Sequence, residues 1–174
     1  KAISLSQGEL ITFLDVDDLW TENKLNSQVE IMHNKDIDFC YSNYFIIEGP
    51  KNNRSKKKAY NKKLPSGKIY EKLIKFYDVG ILTLCIKRKV LSKLNICFDS
   101  RFTIIGDMLF VLELSKLGIA YADQNCLAYY RLHQNNLSKT KLLLHVREMR
   151  IWFNDLSKDN KLDENVFGNL ISLT

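Results

Sequence analysis

The sequence predicts an α/β fold. Segments with the β-branched and aromatic composition of strands alternate along the chain with segments whose apolar residues recur at helical spacing. Three aspartates, Asp15, Asp17 and Asp18, directly follow the first apolar run, where an open α/β sheet places its ligand-binding groups. With 174 residues and 45% hydrophobic composition, the chain is long enough for one domain with a substantial core.

The N-terminal part is predicted to run from strand to helix to strand. Residues 10–14 form a short apolar run that ends in acids, which indicates a buried strand. Thr21 is predicted to cap the helix that follows. Aromatic and β-branched residues over 37–47 predict a second strand. The expected inner face of the helix consists of Leu25, Val29 and Met32.

The remaining sequence continues the alternation of helices and strands. The predicted elements are, in chain order, a helix over 68–77, a strand over 80–86, a helix over 88–94, a helix over 108–117 that Gly118 closes, one or two strands over 119–133, and a long helix over 139–156. Strands that alternate with helices in this way are typical of α/β domains.

The positive charge of the chain is local. The net charge is +6, but the stretch from Lys51 to Lys63 holds seven basic residues and no acidic one, which leaves 19 basic and 20 acidic residues elsewhere. A nucleic-acid binder spreads Lys and Arg over a face with aromatic or groove-reading elements among them, and this pattern is absent. We therefore expect no nucleic-acid partner and interpret the basic stretch as a solvated loop or a contact with anionic lipid.

Four cysteines lie far apart with no CxxC pair, which indicates free thiols in a reducing cytoplasm. The longest apolar run, residues 79–86, is far shorter than the roughly 20 residues of a membrane helix. No signal peptide is visible. The sequence itself therefore shows only the absence of export and membrane signals.

Crowded carboxylates at the end of a strand call for a positive partner. Mg²⁺ or Mn²⁺ suits this position because these ions prefer oxygen ligands, commonly use one or two carboxylates, and complete their shell with water and substrate phosphates. The structural alternative is that Asp17 or Asp18 caps or precedes the next helix while Asp15 is merely solvated. Residue types alone leave both interpretations open.

Three segments, in order, resemble motifs of family-two glycosyltransferases. The first is QGELITFLDVDDLWTENKL (residues 7–25), the second is GILTLCIKRKVLSKLNICFDSRFTIIGDMLFVLELSKLG (residues 80–118), and the third is YYRLHQNNLSK (residues 129–139), which is similar to the closing pattern YRxHxxNxS. The resemblance covers about residues 2–140 and implies the GT-A fold, a Rossmann-like arrangement with a mixed sheet flanked by helices. We expect a catalytic domain over 1–140 and a helical extension over 141–174.

The resemblance implies roles for the acids. Asp17 would coordinate the metal, Asp15 would contact the nucleotide sugar and the metal, and Asp18 would support them. Asp107 stands where the family places its catalytic base, although Gly106 replaces the usual Glu before it. The alternative for Asp107 is a helix N-cap. His133 is expected either to ligate the metal or to be an ordinary hydrogen-bonded loop residue.

Several other side chains keep two interpretations at this stage. Trp20, Tyr41 and Tyr44 are expected in the core, with a sugar-binding pocket as the alternative. Arg131 suits either a phosphate or an acid at the edge of the core.

The function implied is transfer of a sugar, with inversion, from a nucleotide-diphosphate donor to a saccharide or lipid-linked acceptor, in bacterial surface polysaccharide or glycolipid synthesis on the cytoplasmic side of the membrane. The family's first strand-helix-strand half does not precede Lys1, so we expect an N-terminally truncated domain. Two alternatives remain: a truncated non-catalytic binding module, and a haloacid-dehalogenase-type phosphatase, whose motif FLDVDD also resembles.

Overall fold

The structure is a computed structural model that describes residues 2–34, 36–49, 55–95, 98–134, 136 and 140–158. The helices are α1 Ala2–Leu5, α2 Lys24–Met32, α3 Tyr70–Lys75, α4 Arg88–Leu91, α5 Gly106–Leu117 and α6 Leu142–Lys158, with a 3₁₀ turn at Ile81–Thr83. The strands are β1 Leu10–Thr12, β2 Leu19–Trp20, β3 Phe39–Glu48, β4 Ser55–Lys58, β5 Cys85–Lys87 and β6 Ala120–Leu132.

The strands form one mixed sheet. Its order is β1-β5-β3-β6-β2, and β4 adds to β3. β3 and β6 pair in parallel, whereas every other pairing is antiparallel. The α/β prediction is confirmed, and because β3 and β6 run side by side, their carboxyl ends lie at the same edge of the sheet.

The core is built where α5 and α3 cover the central strands. Phe39 and Tyr41 of β3 and Ile86 of β5 are fully buried, as is Leu114 of α5. Each such side chain stabilises the fold by about 1.5–3 kcal/mol relative to an exposed one. The sheet and α5 therefore form the packed core from which the connecting loops extend.

Two expectations for α2 are wrong. The helix begins at Lys24 with Asn23 before it and no side-chain cap, and Thr21 instead bonds through its backbone N–H to Leu127 O at 2.9 Å. Leu25 and Val29 are exposed, and the buried residues are Lys24, Gln28 and Met32. This polar face is buried because it is hydrogen-bonded: Lys24 Nζ lies 2.6 Å from Gln28 Oε1, and Gln28 Nε2 donates to Thr83 O at 2.6 Å.

Two other segments differ from their predicted form. The strand expected over 80–86 is a 3₁₀ turn followed by β5. The described part of the basic stretch contains β4, which pairs with β3 as a hairpin with all four residues exposed, so this part is not simply a loop. Residues 51–54 of that stretch lie outside the described residues.

Gly118 follows α5 at a point where the chain passes too close to Asp38 for a larger side chain. Its backbone is extended, with φ −127°, and not left-handed. A Cβ added there would lie 2.8 Å from the Cβ of Asp38. The close approach is used, since Ile119 N donates to Asp38 Oδ2 at 2.9 Å and joins the end of α5 to the start of β3.

Candidate functional site

The three aspartates of the first motif lie on the loop between β1 and β2. Asp15 is exposed and Asp17 is half-buried, whereas Asp18 is 5% exposed. Asp18 Oδ1 accepts a hydrogen bond from Arg131 N at 2.9 Å, and Asp18 N donates to Asp15 O at 3.1 Å. The carboxylate of Asp18 thus ties the loop to the end of β6 and leaves the other two acids facing outward.

Burial raises the pKa of Asp18 to about 6, although the hydrogen bond from Arg131 N acts in the opposite direction. The unfolded chain has a pKa near 3.8, so the folded state binds the proton more tightly. The free energy of unfolding should therefore fall by about 3 kcal/mol as pH rises from below 3.8 through 6.

We expect Asp18→Asn to stabilise the metal-free protein by about 1–3 kcal/mol at pH 7.5, because asparagine keeps the acceptor oxygen without the buried charge. At pH 3.5 the two proteins should differ little. Chemical denaturation in EDTA at both values measures this, with the exposed Asp36→Asn as control. Equal destabilisation at both values would contradict it.

His133 meets Asp17 although 116 residues separate them. His133 Nε2 lies 2.6 Å from Asp17 Oδ2. This contact holds the pKa of Asp17 below its usual value, while burial acts weakly against it. The backbone of His133 is fixed by Asn136, whose Oδ1 accepts its N–H at 2.5 Å and which is 7% exposed. The first and third sequence motifs therefore converge on one point.

The described residues hold no group of three or more His, Cys, Asp or Glu side chains arranged for a metal ion. Asp17 and His133 nevertheless offer a carboxylate and an imidazole at one place, with Asp15 exposed two residues away. Mg²⁺ or Mn²⁺ typically takes one or two protein ligands and fills the rest of its shell with water and phosphate oxygens. The donor set fits such a shared site.

Asp107 lies in the first turn of α5, after the first helical residue Gly106. The N-cap alternative is wrong for this position, since Ile105 precedes the helix, and Asp107 Oδ1 accepts the neighbouring N–H of Met108 at 2.7 Å. Burial raises the pKa of Asp107, and the charge of Asp15 raises it further. Asp107 therefore lies within electrostatic reach of Asp15.

An aromatic cluster of Phe13, Phe98 and Phe110 joins the loop after β1 to helix α5. The ring centroid of Phe13, which follows β1, lies 5.7 Å from that of Phe110 in α5 and 6.0 Å from that of Phe98. Phe98 and Phe110 stack at 4.6 Å. Such aromatic pairs add about 0.5–1.5 kcal/mol beyond area burial. The cluster therefore joins the segment that carries Asp15 to α5, which carries Asp107.

Glu148 of α6 is a site-supporting residue that the sequence analysis missed. It is 2% exposed, and its carboxylate accepts hydrogen bonds from Thr103 N, Ile104 N and Ile105 N at 2.8, 2.8 and 3.0 Å. Burial raises its pKa, but the three donors outweigh burial and hold the pKa below its usual value. Glu148 thereby fixes the segment that leads into Asp107.

Glu148→Gln should destabilise the protein by about 2–3 kcal/mol at pH 7, because the amide NH₂ would face backbone donors and the charge-assisted bonds would be lost. The folded-state pKa is depressed below 4.5, so this stability is present above 4.5 and is lost as pH falls through the folded value. Denaturation curves at neutral and acid pH test this, with exposed Glu30→Gln as control. A loss that stays constant down to acid pH would contradict it.

Two more polar groups lie near the acids: Arg131, which the sequence left with two interpretations, and Tyr77, which the sequence analysis did not single out. Among the described residues, the Tyr77 hydroxyl and Arg131 Nε are buried without a hydrogen-bond partner. The Arg131 charge lowers the pKa of Asp17, and the charge of Asp107 contributes to the raised pKa of the buried Tyr77. Both groups thus lie within electrostatic reach of the acids.

The three aromatic residues, Trp20, Tyr41 and Tyr44, differ in burial. Tyr41 is fully buried and its hydroxyl donates to Pro65 O at 2.7 Å, so its core assignment is confirmed. Trp20 Nε1 donates to Leu82 O at 2.9 Å, and its ring lies 4.1 Å from Lys24 Nζ. Tyr44 is half-buried between the rings of Tyr60 and Tyr130.

Comparisons with known proteins point in one direction. The family model described as Glycosyl transferase family 2 matches residues 1–93. The chain is 33% identical over 141 residues to WfgD of Escherichia coli, a UDP-Glc:alpha-D-GlcNAc-diphosphoundecaprenol beta-1,3-glucosyltransferase, covering 80% of the chain and 52% of that protein. It is 30% identical over 142 residues to TuaG of Bacillus subtilis, a putative teichuronic acid biosynthesis glycosyltransferase, covering 81% and 54%.

The chain thus spans about half the length of these curated relatives. Among solved structures, it matches S. aureus TarS 1–349 in complex with UDP-GlcNAc with a TM-score of 0.56 and 13% identity, covering 80% of the chain and 39% of that structure. At this identity the likeness concerns the fold, and it confirms the predicted GT-A arrangement. The FLDVDD segment lies within the matched family region, so the phosphatase alternative has no support.

Proposed function

Because the chain belongs to glycosyltransferase family 2, we propose that it forms the metal- and acceptor-side part of a site that transfers a sugar, with inversion, from a nucleotide-diphosphate donor to a hydroxyl acceptor. The observation that carries the proposal is the convergence of three distant segments. Asp17 and His133 meet at 2.6 Å, and the ring of Phe13, two residues before Asp15, packs 5.7 Å from that of Phe110, three residues after Asp107. Ordinary packing alone gives no reason to gather these acids at one edge of the sheet.

Asp107 is proposed as the catalytic base. The proton of the acceptor hydroxyl passes to its carboxylate while the hydroxyl oxygen forms a bond to the anomeric carbon from the face opposite the donor phosphate. The bond between that carbon and the phosphate oxygen breaks, and its electron pair leaves with the nucleoside diphosphate. The raised pKa of Asp107 favours this role, since a base is more effective when its pKa approaches the working pH.

Asp17, His133 and Asp15 are proposed to hold Mg²⁺ or Mn²⁺ together with the donor diphosphate, and Asp18 supports the loop that carries them. The ion, when bound, stabilises the negative charge that develops on the leaving phosphate. The buried Nε of Arg131 lacks a partner among the described residues, and we assign this guanidinium to a diphosphate oxygen. The hydrogen bond that Arg131 N donates to Asp18 Oδ1 holds the loop of the aspartates against the end of β6.

The acceptor is proposed to be a saccharide or a lipid-linked saccharide of a bacterial surface polymer or glycolipid, built at the cytoplasmic face of the membrane. The names of WfgD and TuaG support this class. None of the helices in the described part of the chain is both long and apolar enough to cross a membrane. Peripheral contact through residues 51–63 and the division into 1–140 and 141–174 remain predictions.

Calorimetric titration with a panel of nucleotide-diphosphate sugars tests the proposal. We expect binding of at least one donor in the presence of Mn²⁺ and little or none in EDTA. The binding-module alternative predicts no metal-dependent donor binding, so donor affinity that is the same with and without metal, or absent across the panel, would contradict the transferase proposal.

A further inference from the structure

A basic groove lies between the segment that follows β4 and helix α3. Its volume is about 680 Å³, and it is open to solvent on one side. The residues that matter for its chemistry are Lys62, Lys63, Lys72, Lys75, Phe76 and Asp78. Two of the lysines belong to the basic stretch, and the other two belong to α3, so the groove joins charges that are separate in the sequence.

The groove carries a positive charge that the protein itself does not neutralise. Among the described residues that line the groove, Asp78 is the one acid, and Lys62 Nζ already pairs with Asp78 Oδ2 at 3.3 Å. No described carboxylate forms an ion pair with Lys63, Lys72 or Lys75, and these three side chains are exposed. Three lysine ammonium groups around one concavity suit an anion with several oxygens, such as a phosphate.

One large apolar side chain stands beside these charges. The ring of Phe76 is 53% exposed, and Lys62 Nζ lies 3.3 Å from its centroid. A phosphate on a lipid presents an anion next to apolar chains, which matches this pairing of lysines with an exposed ring. A single-stranded nucleic acid requires a basic track with successive stacking rings, and the groove offers one ring.

The groove is fixed to the fold through the residues that follow Phe76. Asp78 is 2% exposed, and its Oδ1 has no hydrogen-bond partner among the described residues. Between Phe76 and Asp78, Tyr77 packs against the main core. The groove wall is therefore anchored to the core through Tyr77 and Asp78, next to the exposed Phe76.

We propose that this groove is a phosphate-binding site for a lipid phosphate, either the headgroup of an anionic membrane lipid or the diphosphate of a lipid-linked saccharide. Lys63, Lys72 and Lys75 hold the phosphate oxygens, and Phe76 contacts the apolar part of the lipid at the membrane surface. No residue of the groove belongs to the proposed metal or base positions. Binding of a membrane-lipid headgroup goes beyond the transfer reaction, whereas binding of a lipid-linked diphosphate rests on the proposed function.

The test is a vesicle-binding assay with the Lys72→Glu/Lys75→Glu variant. The parent protein should cosediment with phosphatidylcholine vesicles that contain about one third phosphatidylglycerol, and the variant should bind at least about tenfold more weakly. A second arm uses phosphatidylcholine vesicles that carry a polyprenyl diphosphate. Preference for this arm identifies the lipid-linked source, and equal binding at matched charge identifies the headgroup. Inorganic pyrophosphate should compete in either arm.

The matched control is Lys89→Glu/Lys93→Glu, which makes the same change of net charge on exposed lysines outside the groove. It should keep near-parent affinity, and Lys63→Glu alone should reproduce part of the loss. Circular dichroism checks that each variant is folded. Equal loss of vesicle binding in the control would show that net positive charge, and not the groove, attracts the vesicles, and would overturn the proposal. Absence of vesicle binding by the parent, or tighter binding to an oligonucleotide than to vesicles, would also overturn it.

Discussion

Asp107→Asn is expected to lower the rate of sugar transfer by about 10²–10⁴-fold, the contribution typical of a general base. Asparagine has nearly the same shape and keeps an oxygen that can accept the N–H of Met108, so the first turn of α5 should persist. The side chain can no longer take a proton from the acceptor. Donor affinity should stay within a few-fold of the parent value, since the metal side of the site is untouched.

The control for this variant is Glu113→Gln, which removes an exposed carboxylate from the same helix and should leave transfer unchanged. The pH dependence gives a further readout. Because burial and Asp15 raise the pKa of Asp107, transfer should fall as pH drops through that raised value, and the variant should lack this acid limb. Transfer at the parent rate by Asp107→Asn would remove Asp107 from the role of base.

Asp17→Asn is expected to weaken metal-dependent donor binding by at least about 100-fold, because loss of a group that only hydrogen-bonds a metal ligand already costs about 10–100-fold in metal affinity. The variant loses the negative charge that faces His133 at 2.6 Å and one of the oxygens proposed for the ion. Asparagine can still hydrogen-bond the imidazole, so the loop should keep its position.

Calorimetry with the donor identified for the parent protein measures this loss. Both proteins are titrated at the same Mn²⁺ concentration, chosen to be just sufficient to saturate the parent. Asp36→Asn, at an exposed position in the connection between α2 and β3, is the control of equal charge change. Thermal unfolding in EDTA should be nearly the same for parent and Asp17→Asn, which separates loss of a ligand from loss of the fold. Unchanged donor affinity in the variant would contradict the assignment of Asp17 to the metal.

The order of strands and helices was largely predictable because it depends on local pattern. β1, β3, α3 and α5 arise close to where composition and spacing place them. The face of α2 was not predictable in the same way, since Lys24 and Gln28 are buried through bonds to each other and to Thr83 O. The spacing of apolar residues cannot predict a buried polar face, because one of its hydrogen-bond partners, Thr83 O, lies far away in the sequence.

The site was predictable to the extent that motifs carry it. The resemblance named Asp15, Asp17, Asp107 and His133, and the fold brings Asp17 to His133 and Asp107 within electrostatic reach of Asp15. Glu148 has no local signal, because a buried glutamate in a charged helix resembles an exposed one until its partners are known. Those partners are backbone N–H groups 43–45 residues earlier, and no pattern in the sequence of α6 reveals them.

Side-chain NMR of the histidines during Mn²⁺ titration, in the presence of a nucleoside diphosphate, tests the central claim most directly. Paramagnetic Mn²⁺ bound between Asp17 and His133 should broaden the His133 ring signals first, while those of His33, at the end of α2, remain, and Asp17→Asn should abolish the difference. Equal broadening of His133 and His33, or selective broadening that persists in Asp17→Asn, would contradict a metal and donor site at this position.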